Sequence, residues 1–98
     1  MGGYSPHPWL DEALTEKIME RIVTPTVTRL HEYESSKYGK LTDVEYKGIL
    51  YFGLMICEED GVKNPYVLEI NVRMGDPEAQ VILPRLRTDF YDLSRAIV

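Results

Sequence analysis

Residues Tyr46–Cys57 (YKGILYFGLMIC) form the most apolar stretch of the sequence, with one charge at Lys47. Period two assigns Ile49, Tyr51, Gly53 and Met55 to one face and Leu50, Phe52, Leu54 and Ile56 to the other. Apolar residues on both faces predict a strand covered on both sides. Glu58-Glu59-Asp60-Gly61 reads as a turn leading into Lys63-Asn64-Pro65, which predicts a hairpin with a longer loop. Tyr66–Arg73 (YVLEINVR) then alternates. Tyr66, Leu68, Ile70 and Val72 face one way; Val67, Glu69, Asn71 and Arg73 face the other.

The flanks read as helices and loops. Leu10, Leu14, Ile18 and Ile22 recur every four residues, the apolar face of a helix. Asp11 and Glu12 stand at its start, where negative charge complements the helix dipole. Pro25 is expected to kink or break it, with a second piece from Val27 to about Tyr33. Residues 34–45 are polar and predict an exposed loop. Gly75-Asp76-Pro77 ends the second strand and starts a helix, with Asp76 as its predicted N-cap and Pro77 at the first helical position. That helix carries Val81, Ile82 and Leu86; Thr88-Asp89 caps a last one with Phe90, Leu93, Ala96 and Ile97. The fold class is α+β, helices on a small antiparallel sheet.

Ninety-eight residues bury about 65% of their unfolded surface, enough for one core, and are short for an enzyme. Sixteen Asp and Glu against 11 Lys and Arg, with no basic run, argue against nucleic acid as a partner. The single cysteine, Cys57, excludes an internal disulfide and a cysteine zinc cage and fits a reducing compartment. No apolar run approaches the length of a membrane span, and the first residues lack the regions of a signal peptide. A cytoplasmic protein, without membrane partners, is expected.

Glu69-x-Asn71-x-Arg73 is the most informative spacing. On a strand these side chains share one face, roughly 6.6 Å apart. A carboxylate and an amide oxygen are hard ligands suited to Mg²⁺, and the arginine next along can hold a phosphate with two N–H groups. The competing reading is a half-exposed strand with a polar outer face and a Glu–Arg cross-strand pair. Gly75 directly before a helix start adds a place where backbone can approach an anion, although Asp-Pro also starts helices with no such role.

GGYSP at 2–6, YKGILYFGLMI at 46–56 and LEINVRMGDPEAQVILPRL at 68–86 resemble the phosphoribosylamine–glycine ligase family, the glycinamide ribonucleotide synthetases, which are ATP-grasp enzymes of purine biosynthesis. The resemblance runs from Met1 to about Leu93. It implies that residues 1–98 are one partial domain, the C-terminal portion of a longer ATP-grasp domain. It further implies ATP and Mg²⁺ (or Mn²⁺) as cofactors, and glycine and phosphoribosylamine as substrates. Glu69 and Asn71 match the family's metal-binding pair, and Arg73 the catalytic arginine near the transferred phosphoryl group or substrate phosphate. Gly75, Asp76 and Pro77 match a segment lining the substrate site; Gly2, Gly3, Tyr4, Ser5 and Pro6 match the loop beside it. Ile70, Val72, Met74 and Ala79 depart from the family pattern without removing a ligand, and residues 34–45 look like a surface insertion.

On this resemblance the adenine pocket, a phosphate-binding lysine and a further carboxylate lie outside the 98 residues, so the chain alone is expected to be inactive. Two alternatives remain: another ATP-grasp carboxylate–amine ligase, or a non-catalytic fragment that self-associates. Among single residues, Cys57 reads as a packed small hydrophobe, His7 as a loop histidine, and His31 as a complement to a helix C-terminus. Tyr4 and Trp9 read as anchors of their loop, and Lys63 as a solvated charge.

Overall fold

A computed structural model describes residues 2–38 and 46–98, apart from the side chains of Ser35 and Tyr38. Its elements are α1 (Glu12–Ile18), α2 (Thr24–Tyr38), β1 (Tyr51–Glu59), β2 (Val62–Asn71), α3 (Glu78–Ile82) and α4 (Phe90–Ile97). The two strands pair as one antiparallel hairpin, so the class is α+β as predicted. The chain separates into two compact units. The first holds Met1–Leu10, Lys47–Met55 and Val67–Val98; the second holds Asp11–Tyr46 and Ile56–Tyr66.

In the second unit, Asp11 caps α1: its Oδ1 accepts from the Leu14 N–H at 2.8 Å. The predicted break at Pro25 does not occur. Met19–Val23 instead form a π-helical turn, in which the Thr24 N–H reaches the Met19 carbonyl. Widening the turn just before a residue that lacks an N–H lets the helix run on through Pro25. Consequently Glu34–Tyr38, expected in a loop, are helical; the rest of that expected loop and insertion lies outside the described residues. Among the described residues, Leu14 and Ile22 are the buried large apolar ones, two of the four that the helical period singled out.

The hairpin turn is tighter than expected. Asp60 (φ 52°) and Gly61 (φ 76°) both adopt the left-handed conformation, as a two-residue turn of the primed type requires. Lys63, Asn64 and Pro65 therefore belong to β2. The Lys17 ammonium donates to the Lys63 carbonyl at 2.8 Å, tying this end of the hairpin to α1.

In the first unit, β1 is half-buried over Tyr51–Leu54 rather than fully covered. The apolar side of β2 is open, with Leu68 63% and Ile70 44% exposed. A two-stranded sheet lacks the neighbours that would cover both faces of such a strand. After β2, α3 starts at Glu78 with Pro77 before it; Asp76 does not cap the helix but accepts from the Gln80 side chain at 2.8 Å. Asp89 caps α4 as predicted, accepting from the Tyr91 N–H at 2.7 Å. Among the described residues, no helix is long and apolar enough to cross a membrane.

Candidate functional site

Glu69 and Asn71 are two positions apart near the end of β2, Glu69 exposed and Asn71 half-buried. Opposite Glu69 stands Gly53 of β1. A Cβ on Gly53 would lie 2.8 Å from Glu69 Cγ, so the bare glycine makes the space in which the Glu69 side chain crosses the hairpin. A glycine inside a strand commonly marks such a close approach. In the sequence it was visible only as one small residue in an apolar run.

β2 stops at Asn71, so Arg73 lies beyond the strand rather than as the third side chain of one strand face. There the chain bends, and Arg73 Nη1 donates to the Met74 carbonyl at 3.0 Å. The turn that follows buries Gly75. The Glu78 carboxylate folds back over that glycine, and any Cβ at residue 75 would collide with it. The Ala79 N–H closes the turn on the Gly75 carbonyl at 3.0 Å.

Tyr51 joins this group, although neither its place in an apolar run nor its alternation marked it as a site residue. Its hydroxyl is held above the usual tyrosine value, first by burial and then by the charges of Glu78 and Glu69, while Arg73 pulls the other way. The structure thus brings Glu69, Arg73, Glu78 and Tyr51 into one electrostatic group in the first unit. Its oxygen donors suit a hard divalent cation. Glu69 and Asn71 offer one carboxylate and one amide oxygen, the hard donor types that Mg²⁺ takes while keeping waters and phosphates in the rest of its shell. Among the described residues, no group of three or more His, Cys, Asp or Glu is arranged to hold a metal unaided.

The glycine-rich lead lies along the segment after Gly75. A Cβ on Gly3 would stand 3.5 Å from Val81 and 4.0 Å from Pro77. Arg85 Nη1 donates to Ser5 Oγ, a pairing across 80 residues that sequence spacing gives no means of finding. Tyr4 stacks on His7 at 5.9 Å between ring centroids, and Trp9 meets His7 edge-on at 5.9 Å. The Trp9 backbone N–H also donates to His7 Nδ1 at 3.2 Å. Tyr4 and Trp9 both meet His7, expected without a role, while staying largely exposed at 70% and 50%.

A separate cleft of about 330 Å³ opens in the second unit, lined by Asp11, Leu14, Lys17, Gly61 and Lys63 among others. It includes none of the candidate site residues Glu69, Asn71, Arg73, Gly75, Asp76, Pro77 or Gly2 to Pro6. Cys57 is a half-buried free thiol.

Residues 1–79 match the family described as phosphoribosylglycinamide synthetase, ATP-grasp (A) domain. A phosphoribosylamine–glycine ligase of Archaeoglobus fulgidus is 42% identical over the whole chain, which covers 18% of that protein. One from Caldanaerobacter subterraneus subsp. tengcongensis is 43% identical over 98% of the chain, covering 20% of its length. The trifunctional purine biosynthetic protein adenosine-3 of Gallus gallus is 40% identical over the whole chain, covering 8% of its length. The chain thus spans about a fifth of the length of the ligases it matches. No solved structure matches. With the Glu69–Asn71 pair, the Gly75 turn and the glycine-rich loop all inside the matched residues, the chain belongs to the phosphoribosylglycinamide synthetase ATP-grasp domain family.

Proposed function

We propose that this chain forms one wall, as a single partial domain, of a ligase that joins glycine to 5-phosphoribosylamine. In this reading the glycine carboxylate attacks the terminal phosphorus of ATP to give glycyl phosphate and ADP. The phosphoribosylamine nitrogen then attacks the acyl carbon, expelling phosphate and leaving glycinamide ribonucleotide. Glu69 and Asn71 would hold Mg²⁺ or Mn²⁺, which supplies charge neutralisation on the ATP phosphates. Arg73, the proposed catalytic residue, would stabilise charge on the phosphoryl group in flight. Gly75, Asp76 and Pro77 with Gly2, Gly3, Tyr4, Ser5 and Pro6 would line the substrate site, their two glycine-bearing segments letting backbone approach the ligand. The reaction's compartment in this reading is the cytoplasm.

The observation that carries the proposal is the Glu69 side chain laid across Gly53, two positions from Asn71 and followed by Arg73 and the Gly75 turn. Family membership supports ATP and a divalent metal in general terms. Positioning of both reactants dominates phosphoryl transfer, so one wall alone should not catalyse. The test is therefore a chimera with residues 1–98 in place of the matching segment of the Archaeoglobus fulgidus ligase. It should form glycinamide ribonucleotide, and Glu69→Ala within it should remove most of the rate while leaving the fold intact. A fully active Glu69→Ala chimera would sink the metal assignment. Turnover of a different amine would favour another carboxylate–amine ligase.

A second reading concerns the chain by itself: a non-catalytic, self-associating piece. The exposed Leu68 and Ile70 on β2 favour it, because open apolar strands invite pairing. Sedimentation showing a monomer across a hundredfold concentration range would rule it out.

A further inference from the structure

Two carboxylates of the first unit are each seated on a glycine. Glu69 crosses β1 at Gly53, and Glu78 folds back over Gly75, where a Cβ would stand 2.9 Å from its carboxyl carbon. Tyr51 reaches towards both. It shares a strand face with Gly53, two positions on. A Cβ on Gly53 would lie 3.6 Å from Tyr51 Cε1 as well as 2.8 Å from Glu69 Cγ. The half-buried Tyr51 ring therefore borders the space that the glycine opens for the Glu69 stem. The far end of the same ring carries a hydroxyl, which donates to the Glu78 carboxylate.

Arg73 belongs to the same electrostatic group and pairs with neither acid. Among the described residues the ion pair present is Arg29–Glu32. Arg73 Nη1 donates instead to the Met74 carbonyl. An arginine near a carboxylate commonly takes it as a bidentate pair, one of the stronger polar contacts in proteins. Such a pair with Glu78 would occupy the N–H fork and cancel its charge. The Tyr51 hydroxyl competes for Glu78 as a neutral donor, because a phenol keeps its proton at neutral pH. It can therefore hold the carboxylate without bringing a second cation into the group, as a lysine in its place would.

We propose that Tyr51 is a positioning residue that holds Glu78 over Gly75 and so keeps it from pairing with Arg73, which leaves the guanidinium free to meet an anion. That this anion is a phosphoryl group rests on the ligase reading above. The restraint itself rests on the two glycine seats, the ring between them and the unpaired state of Arg73.

The restraint is read by ¹⁵N NMR of the 98-residue chain through Arg73 Nε–H, which exchanges quickly with water when free and slowly when held by a carboxylate. Tyr51→Phe keeps the ring and removes the donor, so Arg73 should pair with Glu78 and its exchange should slow about tenfold, the size of a charge-assisted hydrogen bond. Adding Glu78→Gln should restore the wild-type rate. Unchanged exchange in Tyr51→Phe would overturn the proposal. So would faster exchange in Glu78→Gln alone, which would show that Arg73 and Glu78 are already paired; that arm needs no change at Tyr51. In the chimeric ligase, Tyr51→Phe should lower kcat about tenfold where Glu78 is present and have no further effect in a Glu78→Gln background, the coupling expected of residues that act through one another. An equal loss in both backgrounds would make Tyr51 a packing residue and overturn its positioning role. A chimera that forms no glycinamide ribonucleotide would count against the ligase reading, and the Arg73 exchange rates then decide the restraint by themselves.

Discussion

The Glu69 side chain crosses the hairpin directly over Gly53, whose missing Cβ would otherwise stand 2.8 Å from Glu69 Cγ. The colliding atom is close to the Glu69 backbone, so rotating the far end of the side chain does not relieve it. Gly53→Ala should therefore turn the carboxylate away from its place beside Asn71 while the hairpin stays paired. In the chimeric ligase, the metal concentration for half-maximal activity should rise about tenfold, the lower end of what displacing a ligand's support costs. An unchanged metal requirement with an intact fold would mean that Glu69 does not act from this position.

The second glycine of the site makes a parallel prediction through Tyr51. Glu78 folds over Gly75 and, with Glu69, helps burial hold the Tyr51 hydroxyl above its usual value. Glu78→Gln removes one negative neighbour, which favours the phenolate, so Tyr51 should titrate at lower pH. Burial, the largest cause, remains, so the shift should be partial. Absorbance titration at alkaline pH, with Tyr51→Phe subtracted, reads this directly; an unmoved transition would separate Glu78 from Tyr51.

How much of this was legible in the sequence depends on distance along the chain. That Glu69 and Asn71 stand two positions apart on one strand is legible because strand period two is local, and the Asp89 cap because a cap is read within one turn. Pro25 marks an irregularity rather than a break, because its missing N–H is a local fact, whereas the π turn that absorbs it forms over the preceding residues Met19–Val23. Asp60-Gly61 is a strong two-residue turn signal, but Glu58, Lys63 and Pro65 diluted it into a longer loop. Asp76 looked like a cap by spacing, yet its carboxylate is taken by Gln80 one turn on. Gly53 with Glu69 and Ser5 with Arg85 meet only once the chain has folded, and no period in the sequence encodes them.

The cap on α1 gives a stability prediction independent of function. Asp11 Oδ1 satisfies the Leu14 N–H at 2.8 Å, and Leu14 is one of the buried apolar residues. Asp11→Ala leaves that donor without its partner and should cost about 1 kcal/mol. Asp11→Asn should restore most of it, because the amide oxygen accepts the same bond. Urea unfolding compares the three; equal midpoints for Ala and wild type would show that the cap contributes nothing.

At the turn end of the hairpin, the Tyr66 hydroxyl lies 3.0 Å from each oxygen of Glu59. This hydrogen bond, followed by the Glu59 charge, raises the Tyr66 hydroxyl above its usual value. Only the protonated phenol can donate, so the folded chain holds that proton more tightly than the unfolded chain does. The contribution is complete below the unfolded tyrosine value of about 10 and is lost as pH rises through the folded one. Stability should thus hold up to about pH 10 and fall above it. Tyr66→Phe should be less stable than wild type at pH 8 and lose less on going to pH 11. The group is fully exposed, so the difference should be small and should show as a change in slope with pH. Urea midpoints measured across that range in both proteins decide it: parallel curves would mean that Tyr66 and Glu59 are neighbours without an energetic bond.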